Sequence, residues 1–378
     1  MNAVNPISSN SRPPLYKQLR QYILDQIQQK VWLPDQQIPS ENELAEQFQV
    51  SRVTVRGALS ELVDEGAIYR IRGKGSFVQS GTLTSRLPDP IAGSEPGSGK
   101  IVAFLMPRLD NRFTANVVSG IESELSKHGY HLLFCKTHDS KEIEKQKLQE
   151  MISFGVDGII VYPVADESYN EDILKLSLDR FPLVVVDRYL RGVDTNCVCS
   201  DNMEGARQAT SHLIKLGHRR IAYINSDLQT TSLEDRLTGY QKALGETSLP
   251  IDYRLQVSLK GRSGKTDPGN VEILTHFFQS NPDVTACFAA HYALAFDVIH
   301  VLNQLGKKLP EEMSLVCFDE YESAEHAALP LTCVEQQEYR LGEEAAKLLI
   351  SNMESPGQER KMTLIPTRFI KRSSTAPV

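Results

Sequence analysis

From residue 101 onward, short apolar runs alternate with longer amphipathic stretches, and this rhythm restricts the fold more than any other feature of the chain. The runs at 101–106, 158–161, 183–186, 221–224, 286–289 and 314–318 are of strand length. Enough chain separates them for a helix each time. Strands joined through helices imply a parallel sheet, because parallel neighbours need crossovers, and these are right-handed. The expected class is α/β.

Two different textures precede this region. Residues 12–79 read as a compact helical unit, and residues 80–99 are rich in Gly, Pro, Ser and Thr without apolar periodicity, which predicts a flexible linker. The chain has 378 residues, 40% hydrophobic and 24% charged, ordinary for two or three folding units. A net charge of −7 argues neither for nor against nucleic acid, since charge is averaged over domains. Met1 is followed by polar residues rather than a charged start and an apolar stretch, and no apolar run reaches the roughly 18–20 residues that span a bilayer. The expectation is a cytoplasmic protein without membrane contact. Cys135, Cys197, Cys199, Cys287, Cys317 and Cys333 lack C-x-x-C spacing and predict reduced, buried thiols, with no metal and no cofactor.

In the first unit, Leu15, Leu19, Ile23 and Ile27 recur every four residues and predict a helix over about 15–30. Leu33-Pro34 ends it. Ser40 and Glu43 have the spacing of a capping box for a second helix, whose Leu44, Ala45 and Phe48 face inward. Ser51 then caps a third helix with Val55, Ala58, Leu59 and Leu62 on its core face. Arg52 and Arg56 share the opposite face, with Thr54 near the helix start. Two helices joined by a tight turn, with cations opening the second, suit the major groove of double-stranded DNA. After Gly66, residues 67–78 read as a hairpin with Gly73 and Gly75 at its tip and Arg70, Arg72 and Lys74 along it, a wing suited to a phosphate backbone. Residues 12–79 hold nine Lys/Arg against eight Asp/Glu, so placement rather than net charge favours DNA: five of the nine cations lie on the third helix and hairpin.

This unit resembles the winged-helix domain of the GntR family. The resemblance rests on Pro14-Leu15-Tyr16, Leu33-Pro34, Ile38-Pro39-Ser40-Glu41-Asn42-Glu43-Leu44-Ala45, Val50-Ser51-Arg52-Val53-Thr54-Val55-Arg56 and Gly73-Lys74-Gly75-Ser76-Phe77-Val78. It implies DNA roles for Arg52, Thr54, Arg56 and the wing around Lys74 and Gly75. Asn42 stands where the family often carries an Arg.

In the larger unit, catalytic signatures are poor. There is no H-E-x-x-H and no glycine-rich dinucleotide fingerprint, and residues 261–266 look like part of a phosphate loop but have Leu259 where its first Gly belongs. Polar residues instead follow strand ends, where open α/β sheets bind ligands. Asp187 and Arg188 follow 183–186, His291 follows 286–290, Asp319 follows 314–318, and Asn111 and Phe113 lie in the loop after 101–107. Carboxylates, guanidinium groups and an aromatic face suit a small polyol.

Residues 100–375 resemble the effector domain of the LacI/GalR regulators. The residues that carry the likeness include Gly155-Val156-Asp157-Gly158-Ile159-Ile160, Val185-Val186-Asp187-Arg188, Ser200-Asp201-Asn202, His212-Leu213-Ile214-Lys215-Leu216-Gly217-His218-Arg219-Arg220-Ile221-Ala222 and Pro330-Leu331-Thr332. The resemblance implies two lobes around a cleft, roughly 100–218 plus 335–378 and 219–334, joined by three crossing strands. It adds Arg236 and Gln336 to the effector contacts and implies a homodimer on a palindromic operator. Arg112, Thr114 and His291-Tyr292 depart from the family pattern. A GntR-type reader joined to a LacI-type sensor resembles the arabinose repressors of Gram-positive bacteria, which makes L-arabinose one candidate effector. The expected function is a repressor of carbohydrate-utilisation genes. The alternatives are a ligand-dependent activator, or an enzyme-type sensor such as the aminotransferase-like GntR proteins, for whose imine-forming lysine no matching context exists.

Overall fold

The computed structural model describes residues 15–28, 31–33, 35–64, 67–71, 75–78, 100–165, 170–261, 267–321 and 329–378. The chain divides into two compact units, Met1–Ser98 and Gly99–Val378. The expected linker over 80–99 lies outside the described residues, as do Pro14, Pro34, Gly66, Gly73 and most of the phosphate-loop-like stretch.

The first unit contains α1 (Leu15–Gln28), α2 (Glu41–Phe48), α3 (Arg52–Asp64), β1 (Ile68–Ile71) and β2 (Gly75–Val78). Leu19 and Ile23 of α1 share one core with Leu44, Phe48, Val55, Ala58, Leu59 and Leu62. The reciprocal cap forms at the start of α2: Ser40 Oγ accepts from the Glu43 N–H at 3.3 Å, and the Glu43 carboxylate accepts from the Ser40 N–H at 2.7 Å. That bond holds the Glu43 carboxyl below its ordinary range. Gln49, at φ 53°, closes α2, and Ser51 Oγ accepts from the Thr54 N–H at 3.1 Å to start α3. β1 and β2 pair antiparallel with Ile68 opposite Val78. Residues 36–38 add a partner on the far side of β2, with Ile38 donating to the Ser76 carbonyl and Val78 to that of Gln36, each at 3.0 Å. Nothing in the local sequence pattern signals this third segment.

The second unit holds two six-stranded sheets. The first has β4 (Tyr130–Lys136), β3 (Lys100–Met106), β5 (Gly158–Val161), β6 (Leu183–Val186), β7 (Asn196–Ser200) and β13 (Met362–Ile365) side by side. The second has β9 (Gln256–Leu259), β8 (Ile221–Ser226), β10 (Ala286–Ala289), β11 (Ser314–Phe318), β12 (Thr332–Glu335) and β14 (Arg368–Ile370). All neighbours run parallel except β14 beside β12. The two sheets have the same strand order, so each lobe repeats one α/β plan. Residues of β5, β6, β10 and β11 are all buried, which is why these strands read as unbroken apolar runs.

The lobe boundaries need correction. Helix α7 (Asn202–Lys215) belongs to the second lobe, since Ala206, Ala209 and Leu213 share a core with Tyr223, Phe288 and Phe318. The chain therefore crosses between lobes after Ser200, not near 218. It returns after β12, builds α11 (Glu338–Glu354) and β13 in the first lobe, and crosses again. β14 and the residues after it lie on the second lobe, where Leu315 donates to the Ser374 carbonyl at 2.8 Å. The lobes are 100–201 with 336–365, and 202–335 with 368–378.

Each lobe is sealed by a close helix crossing. In the first, α4 (Arg112–Lys127) meets α11: a Cβ on Gly120 would lie 2.0 Å from the Tyr339 carbonyl oxygen, and one on Gly342 would lie 2.1 Å from that of Val117. In the second, α8 (Thr231–Glu246) meets α7, and a Cβ on Gly239 would lie 2.2 Å from the Met203 carbonyl oxygen. Backbone cannot yield as a flexible side chain does. Gly120→Ala is expected to destabilise the effector domain by about 2 kcal/mol through overpacking. A urea midpoint equal to wild type would show that the crossing is looser than this.

Candidate nucleic-acid interface and ligand cleft

In the first unit, α3 presents Arg52 and Arg56 to solvent, while Val55, Ala58, Leu59 and Leu62 hold the helix down. Thr54 is half-buried, and its Oγ1 lies 2.8 Å from Ser51 Oγ. Arg56 on α3 and Arg70 on β1 both reach Glu41, at 3.3 and 3.5 Å. One carboxylate thus draws the helix cation and the hairpin cation together. Such exposed pairs contribute little, so a phosphate can replace Glu41 at small cost. Gly75 has φ 115°, a conformation that L side chains rarely adopt, and a Cβ there would lie 2.7 Å from Gln37 Nε2. Arg72 and Lys74 lie outside the described residues.

In the second unit, Asp187 and Asp319 occupy equivalent positions, each just past the fourth strand along its sheet. Both have left-handed backbone, φ 71° and 72°, and both N–H groups donate to the neighbouring strand at 2.9 Å, to Val198 and Val334. Left-handed non-glycine residues are strained, and Asp is among those that bear it best. Around Asp319 the polar side chains form one network. Gln336 Nε2 donates to Asp319 Oδ1 at 2.6 Å. Arg236, from α8, donates to Asn202 at 2.9 Å and to the Ala290 carbonyl at 2.7 Å, pairs with Asp319 at 3.5 Å and stacks 3.8 Å over the Phe318 ring. Asn202 and Gln336 stand at two of the crossings, so the network reaches the hinge.

Around Asp187, Arg188 pairs through Nε at 3.5 Å, donates from Nη1 to the Pro163 carbonyl at 2.9 Å, and lies 4.7 Å over the Tyr162 ring. Phe113 meets the same ring edge-on at 6.1 Å. Burial pushes the Asp187 carboxyl up, while Arg188 and Arg236 oppose the shift, so the constellations of the two lobes sense each other's charge. Asn111 is exposed, and its side-chain oxygen caps α4 by accepting from the Thr114 N–H at 2.9 Å.

The lobes also touch directly. Tyr189 donates through its hydroxyl to Asp235 at 3.0 Å and through its N–H to Thr231 Oγ1 at 3.1 Å. Arg191 pairs with Glu234, and Arg112 with Glu335 at 3.1 Å. A groove of about 330 Å³ opens here, lined by Pro163, Arg188 and Tyr189 from one lobe and Gln229, Thr230 and Thr231 from the other. That volume is in the range of small-molecule sites. A larger cavity, about 680 Å³, lies at the opposite, amino-terminal ends of β6 and β7. Within its lining, Arg360 donates to the Asp194 and Ser177 carbonyls, and none of Asp187, Arg188, Arg236, His291, Asp319 and Gln336 reaches it.

His291 precedes α10 (Tyr292–Gln304) and is half-buried. Burial pushes its imidazole down to about 4 from 6.5; Asp319 opposes the shift and Arg236 deepens it. The folded protein holds it neutral, while the unfolded chain protonates it below 6.5. Its contribution to stability is complete above that value and is lost as pH falls toward 4. The stability difference between wild type and His291→Gln should therefore shift against wild type between about pH 7 and about pH 5. Urea titrations at both values measure it, and an unchanged difference contradicts a neutral imidazole in the folded protein.

The structure thus brings together Asp187, Arg188, Arg236, His291, Asp319 and Gln336, places Phe113 beside them through Tyr162, and leaves Asn111 at a helix cap. Tyr162 was not foreseen, although it follows β5 directly and obeys the rule that pointed to Asp187 and Asp319. Tyr189, Thr231 and Asp235 carry no such signal. All six cysteines are free and buried.

Residues 15–78 match the gntR family of bacterial regulatory proteins, and residues 210–375 match a periplasmic binding protein-like domain. The chain is 33% identical over 376 residues to the arabinose metabolism transcriptional repressor of Geobacillus stearothermophilus, covering 97% of this chain and 98% of that one. It is 29% identical over 374 residues to the protein of the same name from Halalkalibacterium halodurans, with 96% of each covered. Among solved structures, it resembles a LacI family transcriptional regulator from Enterococcus faecium with bound ribose, at 28% identity and a TM-score of 0.63, covering 74% of this chain and 100% of that chain.

Proposed function

The chain belongs to the GntR family of bacterial regulatory proteins, in the branch that carries a LacI-type sensor, and from that premise we propose that L-arabinose entering its cleft releases it from a carbohydrate-utilisation operator. Its relatives are transcriptional repressors rather than enzymes. It is itself a DNA-binding transcription regulator with a small-molecule domain.

One observation carries the choice of a neutral sugar. Arg188 Nε, a donor on the first lobe, and Gln336 Oε1, an acceptor at a crossing between the lobes, are buried without hydrogen-bond partners. Buried polar atoms left in this state are costly, and a hydroxyl-bearing ligand both donates and accepts. The charges around them are already matched within each lobe, Arg188 with Asp187 and Arg236 with Asp319. An anionic sugar acid would add an uncompensated charge, whereas a polyol adds none. Asp187, Arg188, Arg236, His291, Asp319, Gln336 and Phe113 form the contact set of this reading, with Tyr162 added.

On the DNA side, Arg52, Thr54 and Arg56 read or flank the major groove, and Arg70, Arg72, Lys74 and Gly75 contact the phosphate backbone. The working species is a homodimer in the cytoplasm, its two-fold axis matching a palindromic operator. Among the described residues, no helix is long and apolar enough to cross a membrane. Sugar shifts the lobes only by its preference for one arrangement over the other, and DNA weakens sugar binding by the same factor that sugar weakens DNA binding.

A thermal-shift series with L-arabinose, D-ribose, D-galactose and D-galacturonate, followed by operator gel shifts, tests the reading. L-arabinose should stabilise the protein and release operator, and galacturonate should do neither. Stabilisation by galacturonate alone overturns the neutral-sugar reading. Tighter operator binding with L-arabinose would make the chain a ligand-dependent activator or a co-repressed repressor instead.

A further inference from the structure

Among the described residues, Glu144 is the least exposed carboxylate, at 2%, and it belongs to neither constellation above. It lies in the first turn of α5 (Lys141–Phe154), within the strongly charged stretch Lys141-Glu142-Ile143-Glu144-Lys145. Its two oxygens are both committed. Oε2 accepts from the Val164 N–H at 2.8 Å, and Oε1 accepts from Asn170 Nδ2 at 3.1 Å. Asn170 in turn caps α6 (Glu171–Leu178), accepting from the Asp172 N–H at 3.0 Å. The carboxylate therefore ties the chain leaving β5 to the start of the next helix.

That same stretch of chain is the seat of Arg188. Pro163, next to Val164, offers its carbonyl to Arg188 Nη1, and the Tyr162 ring lies under the guanidinium. Burial pushes the Glu144 carboxyl up, and Arg188 is among the groups that offset the shift, so the two charges feel each other through this segment. A buried carboxylate holding a single backbone N–H and a single cap amide is more than local packing requires. An apolar residue would fill the space without the cost of burying a charge.

We infer that Glu144 is a positioning residue for effector binding: it fixes the 162–164 segment on which Arg188 rests, and its charge helps hold the guanidinium there. The inference rests on the cleft reading above. Glu144→Gln keeps the volume and one acceptor but removes the charge and one of the two acceptor bonds. Calorimetry with L-arabinose should then show affinity weakened about tenfold or more, while sugar-free operator affinity stays within about twofold and the urea midpoint holds. A general packing defect would lower all three together. Asn170→Ala, which keeps the charge and the Val164 bond, should weaken L-arabinose binding only about two- to threefold.

Wild-type L-arabinose affinity in folded Glu144→Gln, or equal losses in all three measurements, overturns the inference. If Glu144→Gln does not fold, Asn170→Ala decides, and an unchanged response there overturns it as well. Arg188→Ala measured alongside separates the two levels. If that variant responds to L-arabinose as wild type does, the cleft reading itself has failed. If it is deaf while Glu144→Gln is normal, only the role of Glu144 falls. A wild type deaf to L-arabinose would sink the effector assignment instead.

Discussion

Arg188→Ala should leave operator binding intact and abolish release by sugar. Arg188 is anchored on three sides, by the Asp187 carboxylate, the Pro163 carbonyl and the Tyr162 ring, and its Nε remains without a hydrogen bond. A hydrogen bond from a charged group to a sugar hydroxyl contributes about 1.5–3 kcal/mol, which the truncation removes. That corresponds to a loss of sugar affinity of roughly 10-fold to 150-fold. Asp187 would lose a counter-charge that offsets its burial, so its carboxyl would be pushed further up. Arg188→Lys keeps the charge and loses the planar fork, and should fall between the two. The measurement is operator release against sugar concentration, with sugar-free operator affinity as the control. Release by Arg188→Ala at the wild-type sugar concentration rejects the cleft.

The second large effect lies on the other unit. Arg52→Ala combined with Arg56→Ala should cost about 2–6 kcal/mol of operator binding if each side chain reads a base, at about 1–3 kcal/mol apiece. Both residues are exposed on α3, and the helix they occupy is held by Val55, Ala58, Leu59 and Leu62, so the substitutions remove contacts without disturbing the core. The single variants discriminate between roles. A base-reading Arg relaxes sequence preference at one position, whereas a phosphate-binding Arg weakens all duplexes and flattens the salt dependence. Arg56 already engages Glu41, so its single variant leaves that carboxylate paired with Arg70. Unchanged operator affinity in the double variant would exclude α3 as the reader.

How much of this was legible in the sequence depended on the burial of each element. β5, β6, β10 and β11 sit in sheet interiors and are buried throughout, so their apolar runs coincide with the observed strands. β7 is equally buried but reads Asn-Cys-Val-Cys-Ser, with polar residues at both ends, and escaped notice. β13 is an edge strand with Met362 and Leu364 half exposed, and its alternation is too short to register. The lobe boundary came from family resemblance, and no local pattern says which of two sheets the amphipathic face of α7 will cover. The strand-end rule pointed to Asp187, Arg188, His291 and Asp319, whereas Arg236 and Gln336 came from family resemblance alone. Glu144 was invisible, because a Glu in a charged helical stretch reads as solvated. In the fold, Val164 and Asn170 return to bond its two oxygens, which no local pattern announces.

The interleaving of the lobes has a consequence for how the protein is made. β13 completes the first sheet beside β7, yet it emerges from the ribosome only after residues 202–335 of the other lobe have been synthesised. Until then β7 is an unsheltered border able to recruit strands from neighbouring nascent chains. Long-range pairings of this kind assemble slowly. Yield in the cell should therefore depend on chaperone capacity, even when the finished molecule is robust.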